Sequence, residues 1–264
     1  MFKIDTDEIN NDYLHYMDNN RETAIEQFRM EKQFDSREEI PRVDPEKIKK
    51  RLGKQISAHA NRAKNINGDQ DYKSYVYLDK RDKRKIIKVY EYDDDILDLV
   101  FSYEVFMQNK AYAAKCDVKI PLISDYGTYS EDSKHYFFIV MAKINYESLD
   151  QYLSHVAKVD KVLVKKINDA NECLIDHQVS HNDLHEENIL VDKDSIAFID
   201  FGNAGPTVEN FEEPITYEKL KKNQASKKKK KNRLTKTTSK TTSKTTSKTT
   251  SKQKPSSKRR FTAR

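Results

Sequence analysis

The residues best suited by type and spacing to do chemistry fall within one stretch, SHNDLHEENILVDKDSIAFIDFGNAG, from Ser180 to Gly205. His181, Asp183 and Asn188 crowd its first third, and Asp200 stands directly before Phe201 and Gly202. Between them, ILV and SIAFI are short apolar runs separated by DKDS. A small hairpin across that turn brings Asp183 and Asn188 on one side near Asp200 on the other. Two carboxylates and one amide oxygen then converge. Hard oxygen ligands of this kind suit Mg²⁺, which keeps several waters and bridges to phosphates. A carboxylate not consumed by metal can orient an attacking hydroxyl.

Such a hairpin needs a scaffold, and the rest of the chain is read for one. RLGKQIS, SYVYLDK and RKIIKVYEY are strand-like, the last two rich in β-branched and aromatic residues. AHANRAKNINGDQDYK, between the first two, reads as a polar loop. DDILDLVFSYEVFMQNKAYAAK is a long helix, with Ile96, Leu97, Val100, Phe101 and Phe106 on helical spacing. YFFIVMAKI is a buried strand, SLDQYL a short helix, and VDKVLVKKINDANECLIDHQ a helix presenting Val162, Leu163, Ile167, Ala170 and Leu174 on one face. Residues 5–38 suggest one or two charged helices, and EEIPRVDPEK, with Pro41 and Pro45, reads as a boundary.

The pattern His-x-Asp-Leu-x-x-x-Asn at His181, Asp183, Leu184 and Asn188, followed by Asp200-Phe201-Gly202, resembles the catalytic loop and metal-binding segment of the protein-kinase-like superfamily. That resemblance implies a bilobal α+β fold: an antiparallel-sheet N-lobe with one long helix, then a reduced, mainly helical C-lobe. It implies ATP and Mg²⁺ as cofactors. Asp183 becomes the catalytic base, and Asn188 and Asp200 the metal ligands, while His181 steadies the loop. Lys88, flanked by Ile87 and Val89, takes the place of the strand lysine that meets the α- and β-phosphates. Read alone it is an ordinary solvent-facing strand lysine. Glu104 becomes its helix partner, and Ala142 to Ile144, after Met141, the backbone that meets adenine. In such a site the protein positions and neutralises the transferred phosphoryl group.

Several features depart from the pattern. The phosphate loop is not Gly-rich, since only Gly53 and Gly68 fall in that region. Asn182 replaces the arginine found in many protein kinases. His185, in DLH, is more like small-molecule phosphotransferases of the aminoglycoside and choline type. About 17 residues separate Gly202 from a basic tail, with no Ala-Pro-Glu and no room for the large helical subdomain that grips peptides.

Charge is divided along the chain. Residues 221–264 hold 18 of the 49 Lys and Arg and no acid, so the first 220 carry 31 basic against 43 acidic groups. KTTS occurs four times in succession from Lys236 to Ser251. With almost no apolar side chains, this tail is expected to be disordered, and its charge suits non-specific nucleic-acid binding by counterion release or nuclear import. Its Ser and Thr residues are candidate phosphorylation sites. Cys116 and Cys173 are too few for a disulfide framework and read as buried, inert thiols. The N-terminus lacks a signal pattern, and no apolar run approaches the ~20 residues of a membrane span. The expectation is an intracellular protein, cytoplasmic or nuclear, without a membrane partner. Its Lys-, Asn- and Tyr-rich composition is similar to that of divergent kinases of large DNA viruses.

Four regions follow: a charged extension (1–45), an N-lobe (46–142), a reduced C-lobe with the catalytic loop (143–220) and the tail (221–264). The expected function is ATP- and Mg²⁺-dependent phosphoryl transfer to a Ser or Thr hydroxyl of a protein. The rivals are a small-molecule kinase, or a weak pseudokinase or nucleic-acid-binding scaffold.

Overall fold

The computed structural model describes residues 40–65, 68–93, 97–207 and 214–226, with 61–65 and 68–70 described by backbone alone. The helices expected within 5–38, and the tail beyond residue 226, lie outside the described residues. The fold is α+β and bilobal, as expected. A short helix α1 (Pro45–Lys49) precedes β1 (Leu52–Asn65), β2 (Gly68–Asp79) and β3 (Lys85–Tyr92), then helix α2 (Leu97–Ala113), β4 (Ile123–Glu131) and β5 (Lys134–Ala142). These strands form one antiparallel sheet in the order β1-β2-β3-β5-β4.

Strand alternation decides what each face of that sheet carries. Ile87, Val89, Phe138 and Val140 point one way and pack with Ile48 of α1 and Tyr129. Tyr90, Tyr92, Phe137, Ile139 and Met141 point the other way, onto α2. Lys88 lies between Ile87 and Val89, so the same alternation turns it toward α2 rather than toward solvent. The helix is clamped there by Phe101, whose ring stacks on Tyr90 at 3.9 Å between centroids, and by Gln108, whose Nε2 donates to the Pro121 carbonyl at 2.7 Å. Fully burying an aromatic ring of this kind is worth about 1.5–3 kcal/mol.

The second lobe contains β6 (Glu147–Ser148), α3 (Leu149–His155), α4 (Lys161–Asp176), β7 (Ile189–Asp192) and β8 (Ser195–Phe198), with a 3₁₀ turn at Phe201–Asn203. A last helix, α5, spans residues 217–226. Strands β6, β7 and β8 form a three-stranded sheet, and β7 pairs with β8 as the expected hairpin. No helix among the described residues is long and apolar enough to cross a membrane.

Five expectations are corrected. The stretch read as a polar loop, 58–73, is the body of a long β1–β2 hairpin, paired from Ala58 with Tyr75 to Asn65 with Gly68. ISDYGTYSE, given no element above, forms β4, an edge strand whose burial does not alternate, with Gly127, Thr128 and Tyr129 all buried. Val162 is 72 % exposed, not inward. Asp160 caps α4 by accepting the Val162 N–H at 2.8 Å, which starts the helix at Lys161 and leaves Val164, Ile167, Ala170 and Leu174 facing the core. Residues 221–226, counted with the tail above, are helical, because α5 continues to residue 226 with Leu220 and Gln224 buried. Finally, Cys116 and Cys173 are not free thiols but a disulfide, closing a separation of 57 residues.

Candidate active site

Lys88 occupies the middle of β3, on the face turned toward α2. Its Nζ donates to Glu104 Oε1 at 2.9 Å and to Asp200 Oδ1 at 2.6 Å. Glu104 is 2 % exposed and Lys88 8 %. Burial alone would discharge a lysine; here it is outweighed by the carboxylates of Asp200 and Glu104, which hold the ammonium pKa well above its ordinary value. The second oxygen of Glu104 accepts from the Tyr90 hydroxyl. Tyr90 stands two residues from Lys88 on the same face, and the ammonium lies 4.9 Å from its ring centroid. Nothing in the motif pointed to Tyr90, although the alternation of KIIKVYEY puts it beside Lys88.

On the opposite wall, α4 delivers the chain to Val179, and the loop is then closed by reciprocal 2.9 Å bonds between the Ser180 and Gly205 backbones. This ring holds His181 and Asp200 in one unit. His181 is fully buried and its Nε2 donates to the Ile199 carbonyl at 3.0 Å, with Phe201 at 4.7 Å between ring centroids. Burial lowers its pKa to about 4, so the ring is neutral at ordinary pH. Its burial and its bond to the Ile199 carbonyl suit the loop-steadying role that the resemblance implied.

Asp200 has φ 67°, a left-handed conformation uncommon outside glycine. That turn points its carboxylate back at Lys88, whose charge lowers the Asp200 pKa. The 3₁₀ turn follows at once, and Gly202 sits close to the carboxylates: a Cβ would stand 3.3 Å from Asp200 Oδ1, a tight contact, and 3.6 Å from Glu104 Oε2, an ordinary one.

Asp183 lies in the loop between, its side chain 39 % exposed. Partial burial raises its pKa, an effect opposed by His185, Asn203 and Asn188. Asn188 Nδ2 donates to the Asp183 carbonyl at 2.9 Å, and Asn203 Nδ2 donates to Asp183 Oδ2 at 3.3 Å. His185 Nε2 stands 3.1 Å from Asn188 Nδ2 and 3.7 Å from Asp183 Oδ1. Asn203 was missed by pattern reading; its position three residues beyond Asp200 carries no motif signal.

Lys88, Glu104, Asp200, Asp183 and Asn188 are thus brought together from four elements. Ala142 ends β5 at the crossing between lobes, where its N–H donates to the Leu122 carbonyl and the Lys143 N–H donates to the Arg84 carbonyl. Ile144 follows on that connecting segment. Gly53 has a packing duty: a Cβ there would meet the Leu78 carbonyl oxygen at 2.4 Å.

The donor set fits a hard divalent cation. Asn188 directs its amide nitrogen at Asp183, which turns its amide oxygen the other way, and Asp200 uses Oδ1 for Lys88. The Asp200 carboxylate also accepts from the Gly202 backbone N–H. The Asn188 amide oxygen and the Asp200 carboxylate are the oxygens that would hold an ion that keeps waters and bridges to phosphate. Residues 151–208 match the phosphotransferase enzyme family. Among curated proteins none matches the chain. The matched segment runs from α3 through the loop at 180–188 and the 3₁₀ turn, so the likeness to phosphotransferases lies in the lobe that carries Asp183, Asn188 and Asp200.

Proposed function

We propose that the chain transfers a phosphoryl group from ATP to an alcohol, with Asp183 as the base and Mg²⁺ held by Asn188 and Asp200. The observation that carries this reading is the three-way contact of Lys88 with Glu104 and Asp200, in a site whose Asp183 side chain is 39 % exposed. Lys88 fixes the α- and β-phosphates, and Glu104 and Tyr90 fix Lys88. When bound, the ion supplies charge neutralisation for the phosphates. Asp183 accepts the hydrogen bond of the acceptor hydroxyl and orients its oxygen for attack. The remaining half-exposed face of Asp183 is where that hydroxyl arrives.

The acceptor we favour is a small hydroxylated molecule, supported by the phosphotransferase likeness of residues 151–208 and by His185 beside Asp183. A Ser or Thr hydroxyl of a protein is the second reading, favoured by the intact Asp-Phe-Gly turn. Radiolabelled ATP with Mg²⁺ separates them when offered amino-sugar and amino-alcohol acceptors in one series and generic protein substrates in another. Label in the small-molecule fraction alone supports the first reading, and label in protein alone replaces it by the second. Label in neither, with the chain still stabilised by ATP, favours a pseudokinase.

A further inference from the structure

Remote from the cleft, the ends of α2 and α4 meet in a corner made of sulfur and imidazole. Cys116 lies three residues beyond α2, Cys173 in the last turn of α4, and His177 caps that helix. Cys173 and His177 are one turn apart and share a helix face. One ligand atom from each of the three lies within 4.8 Å of the other two. His177 Nδ1 is 2.8 Å from the Cys173 carbonyl. A carbonyl only accepts, so Nδ1 carries the proton and Nε2 presents its lone pair. Metal-binding histidines are commonly held this way, the other ring nitrogen donating to a carbonyl. Both cysteines are partly exposed and His177 is exposed, so a reductant and an ion can reach the corner.

We propose that Cys116, Cys173 and His177 form a redox-gated zinc-type site, closed while the disulfide stands and open once it is reduced. A dithiol reductant delivers two electrons to the disulfide, leaving two thiols on this chain and a disulfide on the reductant. Ion binding then releases both thiol protons, and the ion takes two thiolates and one imidazole, with water at its fourth position. Thiolate and imidazole together select zinc-like ions over Mg²⁺, so this site does not compete with the cleft for its cation. Oxidised or metal-bound, the corner ties the helix carrying Glu104 to the helix leading into the catalytic loop.

The test uses the full-length chain in two states, oxidised and reduced by a phosphine that is then removed. Each is titrated with Co²⁺ and then with Zn²⁺. The reduced chain should bind one equivalent of Co²⁺ with thiolate-to-cobalt charge-transfer absorption, lost on addition of Zn²⁺. The disulfide form should show no such absorption and bind at least about 100-fold more weakly, having lost two of three ligands. His177→Ala should keep the thiolate absorption and lose about tenfold or more in affinity. A cobalt spectrum without thiolate bands, equal affinity in both redox states, or unchanged affinity in His177→Ala overturns the proposal. So does loss of helical circular dichroism on reduction, because the site needs α2 and α4 in place. The redox comparison needs no substitution, so it stands even if Cys116→Ser fails to fold.

Discussion

The two walls of the cleft treat their charges in opposite ways. On the sheet side, Lys88 and Glu104 are buried, mutually hydrogen-bonded and flanked by Tyr90, on two elements packed into the same core. On the loop side, Asp183 is half-exposed, follows the left-handed Asn182 (φ 59°), and is held by single hydrogen bonds from Asn188 and Asn203. A group that must present constant charge to a bound phosphate gains from being fixed in advance. A group that must meet an incoming hydroxyl needs an open face and a pKa that its surroundings can tune. On the proposed function, positioning falls to one side and proton handling to the other, and that division can be broken at either.

The largest effect should come from the loop side. Asp183→Asn keeps the shape and removes the base, so turnover should fall by about 10²–10⁴-fold. Nucleotide affinity should stay within about threefold of the parent, because the residue acts on the acceptor. Steady-state rates paired with a fluorescent-nucleotide titration read both. Parent-like turnover would end the division between the walls, as would a parallel loss of nucleotide binding.

On the sheet side a substitution should strike stability as well as activity. Lys88→Ala leaves Glu104 buried without its cation, and breaking such a pair costs about 3–5 kcal/mol. Replacing both partners, as Lys88→Met with Glu104→Leu, should recover much of the stability while leaving turnover as low as in Lys88→Ala. Urea unfolding of the single and double variants decides it. If Lys88→Ala is as stable as the parent, the pair is not the compensated buried unit described here.

How far these walls were legible in the sequence follows from their physics. Asp183, Asn188 and Asp200 are close in the chain, and the DKDS turn flanked by apolar runs predicts their meeting. Lys88 and Glu104 were reachable only through the resemblance to the kinase-like pattern, because a strand lysine read alone is an ordinary solvent-facing one. Tyr90 and Asn203 were not, since their roles arise from which face they share and not from any local pattern. The long β1–β2 hairpin was misread because polar residues on an extended ribbon look like a loop when they cover little core. Disulfide pairing depends on where α2 and α4 cross, and two cysteines alone say nothing about that.

A smaller effect separates the walls by pH. His181 has a folded pKa of about 4 against an ordinary 6.5. The unfolded chain therefore binds the extra proton first, and stability falls as pH drops from 6.5 toward 4. The full shift corresponds to roughly 3 kcal/mol. His181→Gln keeps a donor for the Ile199 carbonyl and removes the titration. The parent should lose roughly 3 kcal/mol more than this variant between about pH 7 and pH 4, measured by chemical denaturation. Equal slopes would mean that the catalytic loop is not anchored through a buried neutral histidine.

The smallest effect tests the tuning of Asp183 itself. The Asn203 side chain contributes one 3.3 Å hydrogen bond to a half-exposed carboxylate, so Asn203→Ala should lower kcat by about three- to tenfold. Rate alone would not separate this from a local packing defect, but the pH profile does. A donor to the carboxylate favours its charged form, so removing it raises a pKa that partial burial already lifts. The base must be ionised to accept the hydrogen bond of the acceptor. The acidic limb of kcat/KM should therefore move to higher pH in Asn203→Ala and stay in place in Lys88→Ala, which lies on the other wall. Movement in both would mean that the walls share one coupled charge network, with Asp200 as the link between Lys88 and Asp183. An unmoved limb in both would remove Asn203 from the positioning of the base and leave its amide a tie between the loop and the 3₁₀ turn.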